Sequence, residues 1–188
     1  SAYYLDTANG NPAGAIIMPS PSANSLGRYY RNLGGDFNGT DAAPLTMSFD
    51  FYLDAAGAPG WSGARHVVEL RGYAGDMYNS GTLENLLAIG LNNNSSDTFS
   101  TTRYQGRVLN GAAWQTLDEG SAPSRSAGWH QLKIVVTTSQ VLFYVDNILS
   151  ETEARPNSLG FDCVVIGSDL TANGFAARVD NLQVTCGQ

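Results

Sequence analysis

The run Arg65-His66-Val67-Val68-Glu69-Leu70-Arg71-Gly72-Tyr73 sets charged and aromatic side chains at alternate positions. On an extended strand alternate side chains share a face. Arg65, Glu69, Arg71 and Tyr73 therefore form one polar face, interrupted by Val67, while His66, Val68 and Leu70 form the other. A second run repeats the theme, with Arg103, Gln105 and Arg107 opposite Tyr104 and Val108. Guanidinium groups grip carboxylates or sulfates bidentately, and aromatic rings pack on the apolar faces of sugars. If the two strands are neighbours, these residues make a floor for a polysaccharide. Trp61 and Trp114, each in a loop among small residues, are the stacking platforms such a floor would use. The plainer alternatives are an exposed sheet face balanced by Glu69–arginine ion pairs, which contribute little, and tryptophans that cap the ends of a core.

Catalysis asks for more than this. A lyase needs a tyrosine or histidine as base beside a group that neutralises a uronate, and a retaining glycosidase needs two carboxyls about 5 Å apart. His66 and His130 each share a strand face with apolar residues, which favours buried, hydrogen-bonded imidazoles over catalytic ones. Nothing in the spacing favours a Ser-His-Asp arrangement, and unclustered histidines make a zinc site improbable. Asp36-x-Asn38-Gly39-x-Asp41 imitates the opening of a calcium loop without its distant glutamate, and is better read as an asparagine-glycine turn. The balance favours a binding protein over an enzyme.

The elements that must position these side chains are strands. Residues 128–149 hold two β-rich runs joined by a polar bend at Thr138, Ser139 and Gln140, and then a turn at Asp146-Asn147, which predicts three successive antiparallel strands. Leu45, Met47, Phe49, Phe51 and Leu53 alternate with Thr46, Ser48, Asp50 and Tyr52, the pattern of a strand on a core. Residues 65–73, 86–91, 102–109 and 161–166 read as further strands, with shorter candidates at 3–7, 15–18 and 28–31. Residues 151–158, charged and containing Pro156, read as loop. In the closing run 175–184 the apolar parity changes, and a β-bulge at Asp180-Asn181 would return both halves to the core.

With 188 residues, 21 glycines and only 14% charged residues, the chain fits one all-β domain spanning 1–188, with little helix. Its net charge of −7 opposes binding to nucleic acid or to an anionic membrane surface, and no apolar run is long enough to insert into a membrane. A local cluster of arginines can still receive an acidic polymer.

GWHQLKIVV followed by LFYVDNIL resembles the tryptophan-led strand and aspartate turn of laminin-G-like and concanavalin-A-like jelly rolls, a resemblance confined to that stretch and the last strand. It implies an antiparallel two-sheet β-sandwich with one concave sheet whose outward residues floor a glycan groove. Proteins of this kind are non-catalytic carbohydrate-binding or adhesion modules, polysaccharide lyases, glycoside hydrolases or structural modules of surface assemblies. VVELRGY is also similar to the arginine-glutamate-arginine strand of alginate-lyase-like enzymes, with Glu69 and Arg71 matching and Val67 where the first arginine would stand. Asp180-Asn181 resembles the pair found near a structural Ca²⁺ in related sandwiches, which would make Asp6 and Asp180 metal ligands. A closing pair of cysteines is likewise a feature of laminin-G-like domains. Cys163 and Cys186 are expected as a disulfide, with two buried free thiols as the alternative. The resemblance implies an extracellular, cell-surface or periplasmic protein, with a polysaccharide partner and other domains of a longer chain as further partners.

Overall fold

The computed structural model of the protein describes residues 5–6, 15–18, 28–53, 65–76, 80–93, 97, 100–109, 111–167 and 177–187, the first two segments by their backbone. In chain order its strands are β1 (Leu5–Asp6), β2 (Ala15–Met18), β3 (Arg28–Phe37), β4 (Leu45–Leu53), β5 (Arg65–Ala74), β6 (Thr82–Asn92), β7 (Gln105–Val108), β8 (Gln115–Thr116), β9 (Gly128–Val136), β10 (Gln140–Val145), β11 (Ile148–Ala154), β12 (Phe161–Gly167) and β13 (Ala177–Cys186). They build two antiparallel sheets, one in the order β1-β2-β13-β4-β9-β10-β11 and the other β3-β12-β5-β6-β7-β8. This is the all-β jelly-roll sandwich expected from the sequence, without a helix among the described residues.

The core lies where the two alternating patterns face each other. Leu45, Met47, Phe49, Phe51 and Leu53 are all buried on β4, against Leu132, Ile134 and Val136 of β9 in the same sheet. The other sheet contributes Val68, Leu70, Leu87, Ile89, Val164 and Ile166. Each large apolar side chain buried in this way stabilises the fold by roughly 1.5–3 kcal/mol. Edge-on ring contacts, Phe49 with Phe51 and Phe51 with Tyr104, both with centroids 6.3 Å apart, extend that packing to the end of the sandwich.

The predicted three-strand meander is present. Asp146 and Asn147 both adopt positive φ, 51° and 64°, between β10 and β11, the backbone a two-residue hairpin turn requires. The bulge is present too. Pairing with β4 steps from Asp180↔Asp50 to Gln183↔Ser48, with Asn181 at φ 50°.

Three readings need correction. β3 runs from Arg28 to Phe37, well beyond the expected 28–31, because an edge strand paired on one side needs no alternating apolar pattern. β11 continues to Ala154 through the segment read as loop, since its backbone is held by β10 from Val145↔Ile148 to Gln140↔Ala154 while its charges lie along the sheet edge. The Cys163–Cys186 disulfide is not formed, and both thiols are free. Cys163 belongs to β12, where Phe161, Val164 and Ile166 occupy the core side and leave it on the opposite face, its thiol pushed up to about 11 by burial. Cys186 ends β13 in the other sheet and is exposed.

The edge strand β11 carries a pH-sensitive group. Burial, and then the Glu119, Glu153 and Asp118 carboxylates, push Glu151 from 4.5 to about 7. A carboxyl with a folded-state pKa above its unfolded value binds a proton on folding, so stability falls as pH rises from about 4.5 through about 7. Glu151→Gln is expected to flatten that fall, seen as Tm measured against pH.

Candidate functional site

The candidate site is the face of the six-stranded sheet turned away from the core. Strand register sets its rows: Tyr30, Val165, Glu69, Ala88 and Arg107 lie side by side across β3, β12, β5, β6 and β7. The next row is Asn32, Cys163, Arg71 and Leu86. The two polar runs of the sequence are thus joined through β6 on one face.

Arg71 is the centre of this surface. Its Nε donates to Glu69 Oε2 at 2.6 Å, its Nη2 approaches the same oxygen at 2.5 Å, and its Nη1 donates to the Tyr73 hydroxyl at 2.9 Å. The guanidinium also lies over the Tyr30 ring, 5.6 Å from its centroid. Burial alone would lower the Arg71 pKa, but the Glu69 carboxylate and the Tyr73 phenol more than reverse this and hold it above its ordinary value. Arg71 is therefore a fixed cation. Arg71 and Glu69 are only 6% and 7% exposed, so theirs is a buried ion pair and not the exposed pairing that the plainer reading supposed.

Trp114 lies on the same face, but not as an open platform. Its indole packs with Val67, Leu86 and Ala88 and is 4% exposed. The guanidiniums of Arg65 and Arg107 stand over it at 5.1 and 5.6 Å, an arrangement that favours cation–π attraction. Sequence reasoning could not anticipate this, because the apolar patch that receives the indole comes from two neighbouring strands. Arg65 pairs with Asp97 and is itself buried. Gln105 is buried, with its Oε1 accepting from the Ser100 amide at 3.2 Å. Arg103 is not on the sheet: β7 starts at Gln105, and Arg103, in the bend before it, donates to the Ala122 carbonyl in the segment after β8. Trp61 lies outside the described residues.

Beyond Tyr73 the face opens into a cleft of about 160 Å³ lined by Asp36, Gly72, Tyr73, Glu84, Leu159, Gly160 and Asp162. Burial and the nearby Asp36 raise the Asp162 carboxyl. The Asp36-x-Asn38-Gly39-x-Asp41 pattern does not converge on an ion. Asp36 faces this cleft, whereas Asn38 donates to Ser158 O at 2.7 Å and Asp41 bonds Thr138.

The calcium expectation centred on Asp6 and Asp180. Asp180 stands opposite Asp50, whose Oδ2 already accepts from Asn181 Nδ2 at 2.7 Å, and the Asp6 side chain lies outside the described residues. Ca²⁺ takes six to eight oxygens, and among the described residues no group of three or more His, Cys, Asp or Glu is placed to hold a metal.

His66 is buried on the core side in register with Leu91, as its strand position predicted. His130 reaches the end of the core against Tyr104, but its ring nitrogens meet Ser126 and Asp146, a constellation that the sequence spacing did not announce.

No protein-family model matches the chain, and no curated protein sequence does. Solved structures share its fold. An alginate lyase from Alteromonas sp.272 superposes with a TM-score of 0.51 at 11% identity, covering 99% of this chain and 94% of that one. The carbohydrate recognition domain of Emp46p, in its potassium-bound form, gives 0.51 at 14% identity over 92% of this chain and 82% of that one. A sialidase gives 0.52 at 9% identity over 92% of this chain, which spans only 15% of the sialidase's length. The chain shares with these structures the jelly-roll β-sandwich fold.

Proposed function

We propose that the chain is a non-catalytic carbohydrate-binding or adhesion module of a secreted or cell-surface protein, taking a polysaccharide across the outer face of the six-stranded sheet at Tyr30, Arg71 and Tyr73. The observation that carries this reading is the Arg71 clamp. Glu69 and Tyr73 hold one guanidinium in place beside the Tyr30 ring, which is 38% exposed. A fixed donor and an exposed ring side by side are the two elements of sugar recognition. Around the clamp the sheet offers the apolar or small side chains of Val165, Ala88, Cys163 and Leu86, a lining suited to packing against a sugar ring. The fold is one that an alginate lyase and a carbohydrate recognition domain also have.

Native electrophoresis through gels cast with neutral, uronate-rich or sulfated polysaccharides tests the proposal. Retardation in at least one gel is expected, and Tyr30→Ala should weaken it about tenfold, the equivalent of roughly 1.4 kcal/mol, without lowering Tm. Unchanged migration across a broad panel would favour a protein-binding module of a surface assembly instead. A second reading, a polysaccharide lyase, draws on the Tyr73 hydroxyl lying 2.9 Å from Arg71, a phenol beside a cation that could neutralise a uronate. Accumulation of unsaturated chain ends would establish it.

A further inference from the structure

At the end of the seven-stranded sheet, three side chains from separate elements meet in a line. Ser126, in the segment entering β9, has its Oγ 2.8 Å from His130 Nε2. On the other side of the ring, His130 Nδ1 is 2.8 Å from Asp146 Oδ2, and Asp146 Oδ1 accepts from the Gln131 amide at 2.9 Å. The turn that carries Asp146 is pinned by its own amide, which donates to Gln131 O at 2.8 Å. The carboxylate is therefore aimed by backbone bonds on both sides.

This arrangement has a chemical polarity. A carboxylate accepts hydrogen bonds, so Nδ1 is the nitrogen that donates to Asp146, and in the neutral ring Nε2 then directs its lone pair at the serine hydroxyl. That is the tautomer a general base requires. The imidazole is largely enclosed, 12% exposed, and lies against the buried Tyr104 ring at 5.8 Å, whereas Ser126 is exposed. The segment behind the serine is fixed: the Arg125 amide donates to Thr102 O at 2.8 Å and its guanidinium to Thr101 O at 2.6 Å. Two residues on, Gly128 has φ 110° and no atom within 4 Å of where a side chain would begin, so the approach there is open. A histidine retained only to close the core would not need a rotatable, exposed hydroxyl on one nitrogen and a backbone-oriented carboxylate on the other.

We propose that, apart from the glycan-binding face, to which the non-catalytic reading applies, the chain carries a separate acyl-transfer site in which Ser126 is the nucleophile, His130 its general base and Asp146 the positioning residue, acting on O-acyl esters. Ser126 Oγ forms a bond to the acyl carbon as its proton passes to Nε2. The ester C–O bond then breaks, and the imidazolium returns the proton to the departing alkoxide. Water repeats the sequence on the acyl-serine, releasing the carboxylic acid and restoring the hydroxyl.

The test is labelling of the whole chain by a fluorophosphonate probe, together with hydrolysis of p-nitrophenyl acetate. The wild-type chain should label at Ser126, and Ser126→Ala, a change at an exposed position, should abolish both labelling and turnover. Asp146→Asn keeps an acceptor for the Gln131 amide and the turn's preference for asparagine, yet presents the wrong partner to Nδ1. It should slow labelling by about 10²-fold or more with Tm unchanged. An unlabelled wild-type chain beside a labelled serine-hydrolase control would overturn the proposal. So would labelling that survives Ser126→Ala, or an Asp146→Asn chain that labels at the wild-type rate.

Discussion

Glu69→Ala is expected to lower the stability of the domain by about 3–5 kcal/mol, the cost of leaving one member of a buried ion pair without the other. Glu69 Oε2 receives both Nε and Nη2 of Arg71, and the two side chains are only 10% and 7% exposed. Removing the carboxylate leaves a guanidinium that burial disfavours, with the Tyr73 hydroxyl as its remaining partner among the bonds described. Urea denaturation should show the loss as a lower midpoint with an unchanged slope. The paired change Glu69→Leu with Arg71→Met should recover most of it, because replacing both charges by apolar groups of similar size is often neutral or stabilising. On the proposed carbohydrate-binding reading the pair serves recognition more than stability, and the doubly substituted chain is expected to fold well while passing unretarded through a polysaccharide gel that holds the wild type. A loss below about 1 kcal/mol for Glu69→Ala would mean that water reaches the pair and that it behaves as a surface salt bridge.

The features legible in the sequence are those in which one strand face is buried and the other is not. β4, β9 and β10 could be read residue by residue, because a one-residue slip would turn Phe49, Phe51, Leu132 and Ile134 out of the core. The bulge at Asp180-Asn181 followed from the same rule, as the single irregularity that keeps Val179 on the core side and Leu182 and Val184 packed against it. The extension of β3 beyond residue 31 escaped notice because Asn32, Gly34 and Gly35 sit on an edge strand paired on only one side. The polar face of β5 was visible from its spacing, but its burial was not. Trp114 settles on a patch assembled from β5 and β6, and Arg65 and Arg107 close over it, so an expected open platform becomes a covered one. Ser126, His130 and Asp146 were invisible for a related reason. Periodicity assigns His130 to the core row, but it carries no information about which loop and which turn supply partners to the two ring nitrogens.

Gly39→Ala should be the costliest of the small substitutions, about 3 kcal/mol, at the upper end of the usual range for overpacking. The Asn38-Gly39 pair read in sequence as a turn, where glycine would be needed for its backbone freedom. The structure gives the residue a different task, close approach. A Cβ at position 39 would lie 2.1 Å from the Val136 carbonyl oxygen and 2.8 Å from the Leu45 nitrogen, both backbone atoms of the β4–β9 pair. Neither strand can give way easily, since they pair from Leu45↔Val136 to Leu53↔Gly128. The segment itself is also tied down. Arg155 Nη1 donates to Gly39 O at 2.8 Å and to Thr137 O at 2.9 Å, while the Asp41 amide donates to Thr138 Oγ1 at 3.0 Å and the Thr138 amide to Asp41 Oδ1 at 3.1 Å. Relief of the clash would have to break one of these ties. Gly35→Ala is the matched control: a Cβ there meets only the Phe37 ring, at an ordinary 3.7 Å, and the change should move stability by less than about 1 kcal/mol. Urea midpoints of the two variants decide the matter. A large loss for Gly39→Ala beside a small change for Gly35→Ala fits close approach, and equal changes would count against it, since the effect of glycine-to-alanine on the unfolded chain acts alike at both positions and favours folding.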